Sequence, residues 1–260
     1  MIFWRGSVCI MEIGAQLYTV RDFCKSLEDF SETLKKVADI GYKYVQVSGT
    51  CEFDALWLKN ELEKNSLKCV LTHTATDKLK EDSVKVAKDH DVFDCEYVGL
   101  GWYDFREDDD TYCLDEFFDT YKDVAKNLKD NGKYFMYHNH DGEFKRYKNK
   151  LIIDWLAETI PESDMGFTLD TYWIQAGGAD PAFWIEKFSG RVPCIHLKDF
   201  SFGRKMSVIG EGNINFDRVF KKAEAAGTKY MLVEQDDCNG EDPFVCLKRS
   251  YEYLRACGFR

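Results

Sequence analysis

Eight short apolar segments, each ending in a polar residue, alternate along this chain with longer segments of helical period. Strict alternation calls for a parallel sheet, because each helix returns the chain so that the next strand runs in the same direction. Strands are expected at Glu12–Tyr18, Tyr44–Ser48, Lys68–His73, Tyr97–Gly101, Tyr134–His138, Gly166–Asp170, Val192–Lys198 and Tyr230–Glu234. Helices are expected at Leu27–Ile40, Phe53–Asn65, Leu79–His90, Leu114–Asn131, Ile152–Ile160, Pro181–Phe188, Phe216–Ala226 and Pro243–Ala256. Gly41, Gly132 and Gly227 follow three of these, as glycines that end helices do. The polar strand ends recur every 25 to 38 residues. That spacing fits an α/β fold of one domain, the (β/α)₈ TIM barrel of typically about 250 residues. An open doubly wound sheet would place a glycine-rich phosphate loop after strand one. The segment Gly14-Ala15-Gln16-Leu17-Tyr18-Thr19-Val20 carries none.

Composition narrows the function. Of 260 residues 45% are hydrophobic, so a large core is available and disorder is excluded. The formal charge of -11 disfavours nucleic acid, and the basic cluster Lys145–Lys150 is short and reads as a loop before a helix. The acidic run Glu107-Asp108-Asp109-Asp110 reads as a solvated loop. Ten cysteines without a C-x-x-C pair read as buried thiols of a reducing compartment. No apolar run reaches the ~18 residues of a membrane span, and the start lacks the apolar core of a signal peptide, so a cytoplasmic location is expected. The barrel pattern occupies residues 12–260, leaving 1–11 as an N-terminal extension. Either Met11 is the physiological start, or Ile2, Phe3 and Trp4 plug the bottom of the barrel.

In a barrel of this kind the C-terminal strand ends converge on one mouth. Strands five to eight end in His138, Asp170, His196 and Glu234. Two imidazoles and two carboxylates from four neighbouring strands could surround one divalent ion. The mixed nitrogen and oxygen set suits Mn, Co, Zn or Fe better than calcium. A single barrel histidine is by contrast usually a hydrogen-bonded core group.

The local motifs resemble a known family. They are Tyr137-His138-Asn139-His140-Asp141-Gly142-Glu143-Phe144, Leu169-Asp170-Thr171-Tyr172-Trp173, Ile195-His196-Leu197-Lys198-Asp199 and Gly210-Glu211-Gly212-Asn213-Ile214. With Gly14–Asp22 and Val233-Glu234-Gln235-Asp236 they resemble the xylose isomerase-like sugar phosphate isomerase/epimerase superfamily, which includes AP endonuclease family 2. The resemblance implies a divalent metal held by Glu, Asp, His and Glu from strands five to eight. Asp170, His196 and Glu234 match the last three, while His138-Asn139 departs from the Glu-Asn of tagatose 3-epimerase-like members. In those epimerases the two metal-bound glutamates are the acid and base, so here Glu234 remains as base. His138 is then a ligand or a proton carrier.

The implied reaction is proton abstraction beside a sugar or sugar phosphate carbonyl, with metal polarisation of the substrate and an enediolate intermediate. Isomerisation and epimerisation share that intermediate with elimination. A lyase or dehydratase on keto-sugars or keto-inositols is therefore the alternative, followed by a non-catalytic sugar-binding barrel. His73 at the end of strand three is a second proton carrier or a loop-bonded histidine. Gln16, within the first motif, is a substrate-binding candidate. Lys198 binds a substrate oxygen or neutralises the acidic mouth, and Glu143 binds a hydroxyl or a loop cation. Trp102 and Trp173 form walls against a sugar face or simply pack. Arg204 and Lys205 after strand seven offer cations to a phosphate, but Asp236 and Asp237 after strand eight repel one, which favours a neutral small-molecule substrate. A trinuclear zinc nuclease is disfavoured, since Asp170-Thr171-Tyr172-Trp173 lacks the histidine of its Asp-x-x-His motif.

Overall fold

Strands β1 (Glu12–Gln16), β2 (Tyr44–Val47), β3 (Lys68–His73), β4 (Tyr97–Leu100), β5 (Tyr134–His138), β6 (Met165–Asp170), β7 (Cys194–Leu197) and β8 (Tyr230–Val233) pair in parallel and in order. β8 returns to β1 with Glu12 opposite Tyr230, which closes the barrel. The computed structural model describes residues 11–106 and 113–260. The acidic run Glu107–Asp110 and the candidate plug at Ile2, Phe3 and Trp4 lie outside the described residues.

Helices α1 (Leu27–Ile40), α2 (Ala55–Lys64), α3 (Thr76–Val92), α4 (Asp115–Asp130), α5 (Ile152–Thr159), α6 (Thr171–Ala176), α7 (Pro181–Lys187) and α8 (Phe216–Ala225) link the strands, and α9 (Pro243–Ala256) follows the last one. Their ends follow from local chemistry. Ser26, Asp54, Asp180, Asn215 and Asp242 each accept a backbone N–H at a helix start. Gly41, Gly132 and Gly227 take the positive φ that ends α1, α4 and α8. The core lies between helices and barrel. Phe117, Tyr121 and Leu128 of α4, for example, are buried toward Phe135 and Tyr137 of β5. Full burial of each such side chain contributes about 1.5–3 kcal/mol. Among the described residues no helix is long and apolar enough to cross a membrane.

Some expectations are corrected. The Lys145–Lys150 cluster is not a plain loop, since Arg146–Tyr147 pairs antiparallel with Lys150–Leu151. Lys148 and Asn149 both take positive φ, which reverses the chain in two residues. Strand seven stops at Leu197, and Asp199–Ser201 forms a hairpin with Lys205–Ser207. The segment Thr171–Ala176, at a strand end with no predicted helix, is α6, capped by Asp170 itself.

Candidate metal centre

Side chains alternate in and out along a strand, so every second residue faces the barrel interior. Near its bottom Tyr44, Tyr97, Tyr134 and Tyr230 pack against one another, with ring centroids 5.3 to 6.5 Å apart. Leu71, Met136 and Leu232 belong to the same interior cluster. One step toward the mouth the interior turns polar, with Gln16, Gln46, His138, Asp170, His196 and Glu234 all buried. The register places Asp170 opposite His196, and His138 opposite Thr168, two residues before Asp170. The four expected ligands thus meet. His138, Asp170, His196 and Glu234 present donor atoms all within 4.8 Å of one another, a group that could hold one metal ion.

Outer hydrogen bonds fix which atoms face inward. His138 Nδ1 lies 2.8 Å from the Gly101 carbonyl, which can only accept, so Nδ1 carries the hydrogen. Its Nε2 then turns a lone pair toward Asp170 Oδ2, 3.3 Å away. His196 Nε2 donates to Gln46 Oε1 at 2.6 Å, leaving Nδ1 2.9 Å from Glu234 Oε2 and 3.6 Å from Asp170 Oδ2. Glu234 Oε2 is buried and faces both His196 Nδ1 and the Lys198 ammonium, the latter 3.0 Å away. Lone pairs of two imidazoles and two carboxylates converge in a buried space where the Lys198 ammonium reaches only the carboxylates, which leaves the imidazole nitrogens open to a second cation. A proton on His196 would serve, and a divalent transition metal fits the donor set. An imidazole anchored through its other nitrogen to a carbonyl or amide is the usual support of a metal ligand.

Charge states follow. Burial pushes Asp170 and Glu234 upward, but Lys198 and the imidazoles outweigh it and hold both below the usual carboxylate range. Burial and then the neighbouring imidazoles push His73 well down, and burial followed by His196 lowers His138, so both are neutral near pH 7. Burial would also lower His196, but Glu234 and Asp170 raise it instead.

A cleft of about 770 Å³ opens above the cluster. His73, His138, Trp102, Trp173, Lys198 and Glu234 line it, while Asp170 and His196 sit under its floor. His73 Nδ1 is 3.1 Å from Ser48 Oγ and its buried Nε2 has no partner. A Cβ at Gly101 would come within 2.8 Å of that ring, so the glycine makes room for it. Gln16 is not among the lining residues. Its Nε2 donates to Glu234 Oε1 at 2.9 Å while its Oε1 accepts from the Tyr18 amide, which orients the glutamate. Glu143 also lies away from the cleft, because its carboxylate accepts from the Tyr137 hydroxyl and the His140 amide inside the protein. Arg204, bonded to the Ala176 carbonyl and Asp141, does not line the cleft either.

Sequence reasoning gave no site role to Gln46, Ser48, Arg21 and His140, and gave Asp236 only the part of repelling a phosphate. Gln46 had a signal, being a polar residue inside the apolar run of β2. Asp236 had one too, standing two residues beyond Glu234 on the same side of an extended chain. Arg21 stood within the Gly14–Asp22 motif, but nothing local showed that its guanidinium reaches the Asp236 carbonyl across 215 residues.

The xylose isomerase-like TIM barrel family model matches residues 34–257. The chain belongs to that family. No curated protein sequence matches it significantly. Among solved structures, this xylose isomerase-like barrel is similar to a sugar phosphate isomerase/epimerase from Parabacteroides distasonis, with 24% identity and a TM-score of 0.77 over 94% of this chain and 98% of that one. An L-ribulose 3-epimerase is 16% identical, with a TM-score of 0.73 over 95% and 94% of the two chains. A probable 3-DHS dehydratase from Bacillus anthracis is 15% identical, with a TM-score of 0.70 over 94% and 99%. Such likenesses carry the shared fold and not one reaction.

Proposed function

We propose that the protein is a metal-dependent sugar isomerase or epimerase that abstracts a proton beside a carbonyl. The observation that carries this reading is the buried His138, Asp170, His196 and Glu234 cluster at the floor of a cleft able to take a sugar. A divalent ion bound there supplies a Lewis acid that polarises the carbonyl and offsets the charge of the enediolate. Glu234, ionised and oriented by Gln16, takes the proton. His73, neutral and with an unpartnered Nε2, handles the second proton. His138 is a ligand in this reading, since its Nδ1–H is committed to the Gly101 carbonyl. Lys198, held by Asp170, Glu234 and Asp236, neutralises the acidic mouth, and Trp102 and Trp173 give the sugar apolar walls.

A neutral sugar is favoured over a phosphate ester, because Arg204 is engaged elsewhere and Asp236 lines the cleft. The charge of -11 supports a small-molecule partner and not nucleic acid. Nine free cysteines among the described residues support a reducing, cytoplasmic setting. Elimination from the same enediolate is the second reading, favoured by the likeness to a dehydratase and by a second proton carrier to assist a leaving group.

The test is incubation of metal-loaded protein with ketoses, keto-inositols and 3-keto-glycosides in deuterated water, followed by NMR. Deuterium exchange or inversion beside the carbonyl is expected, and release of a substituent would mark the lyase. Glu234→Gln should slow turnover by about 10²- to 10⁴-fold, and a variant with undiminished turnover removes Glu234 as base. Sugar binding without exchange would instead indicate a binding protein. Elemental analysis should find the metal lost from an Asp170→Ala, His196→Ala double variant.

A further inference from the structure

The two carboxylate oxygens that complete the candidate ligand set already face a cation of the chain itself. Lys198 Nζ lies 3.2 Å from Asp170 Oδ2 and 3.0 Å from Glu234 Oε2, the same atoms that approach the imidazoles. Lys198 is buried, so its ammonium has no solvent to retreat to. It has one further partner. Asp236 faces it with both oxygens at 3.0 Å and takes no part in the ligand set. The position of Asp236 is enforced from the far end of the chain, since both Arg21 terminal nitrogens donate to its carbonyl at 3.1 Å and Thr19 Oγ1 accepts the Gln235 amide.

We infer that Asp236 is a positioning residue for metal loading, which holds the Lys198 ammonium so that Asp170 and Glu234 can give their lone pairs to a divalent ion. This rests on the reading of the cluster as a metal site. An ammonium and a metal compete for the same oxygens, and the like charges repel at short range. A partner that binds only the ammonium shifts that competition toward the metal. Without Asp236 the ammonium falls entirely on the two ligands. Without Lys198 there is nothing for Asp236 to hold.

The experiment is a double-mutant cycle read as the affinity of the metal-free protein for Mn²⁺ alone, followed through the EPR signal of free Mn²⁺. Asp236→Asn should weaken binding by about 10- to 100-fold, the usual range for groups just outside a ligand set. Asp236→Glu should restore most of it, and Lys198→Met should tighten it. In the Lys198→Met background Asp236→Asn should then cost less than threefold. An equally large loss in both backgrounds overturns the inference, because Asp236 would then be acting through its charge alone. Lys198→Gln repeats the cycle if the methionine variant folds poorly. Should wild type bind no Mn²⁺ and no other divalent transition metal, the metal-site reading itself fails, an outcome distinct from a cycle without coupling.

Discussion

Glu143 turns its carboxyl away from the cleft and into the protein, where Tyr137 and the His140 amide hold it. Burial outweighs those hydrogen bonds and raises its pKa from 4.5 to about 7. A raised acid holds its proton more tightly in the folded state, so its contribution to stability is complete below pH 4.5 and is lost as pH rises through about 7. The linked free energy is about 3 kcal/mol. The difference in unfolding free energy between wild type and Glu143→Gln should therefore drift by that amount between pH 4.5 and 7.5, measured by urea denaturation. A constant difference would show that Glu143 ionises normally. At the same scale Gly101→Ala drives a methyl group against the His73 ring, so turnover should fall at least tenfold while the metal content stays at the wild-type level.

The loop beyond β7 shows an element held by one side chain. Asp199 Oδ1 accepts the amides of Phe200 and Ile214, at 2.8 and 3.2 Å, and Oδ2 those of Gly210 and Gly212, at 3.0 and 2.9 Å. That accounts for two motifs that sequence reading could only set side by side, Lys198-Asp199 and Gly210-Glu211-Gly212. A Cβ at Gly212 would lie 2.4 Å from the carboxylate, so the glycine is required by close approach. Asp199→Ala should cost about 2–4 kcal/mol in urea denaturation, since four partly buried amides lose one shared, buried acceptor. A loss below about 0.5 kcal/mol would mean the loop is ordered by something else. The barrel strands were legible because apolar runs end at His73, His138 and Asp170 on a regular spacing, and helices such as Leu27–Ile40 because capping is local. The hairpin after Lys198 was not, because it depends on Asp199 reaching residues 210–214 across the fold, and α6 was not, because its six residues are too few to show a helical period even with a local Asp170 cap. The convergence of His138, Asp170, His196 and Glu234 was legible for the same reason as the strands, whereas the contacts of Gln16 and Gln46 needed the closed barrel that brings β1 and β2 against β8 and β7 side chains.

At the scale of the whole molecule the barrel separates support from chemistry. Four tyrosines and an apolar layer fill its lower interior, while the upper interior gathers ionised groups that apolar packing cannot stabilise. Three carboxylates, Asp170, Glu234 and Asp236, share the Lys198 ammonium, so the cation-poor site strains the fold that creates it. The candidate ligands come from four separate strands and meet only when the barrel closes, so a metal held by them would bind the folded chain and not the unfolded one. At a free metal concentration of a hundred times Kd the folded state gains about 2.7 kcal/mol. For a domain of this size each kcal/mol moves Tm by about 2–4 °C. Scanning calorimetry should accordingly show Tm falling by about 5–10 °C when a chelator strips the metal. The Asp170→Ala, His196→Ala double variant should melt at the same temperature with and without chelator. A chelator that lowers both proteins equally would place the stabilising ion somewhere other than at the mouth of β5 to β8.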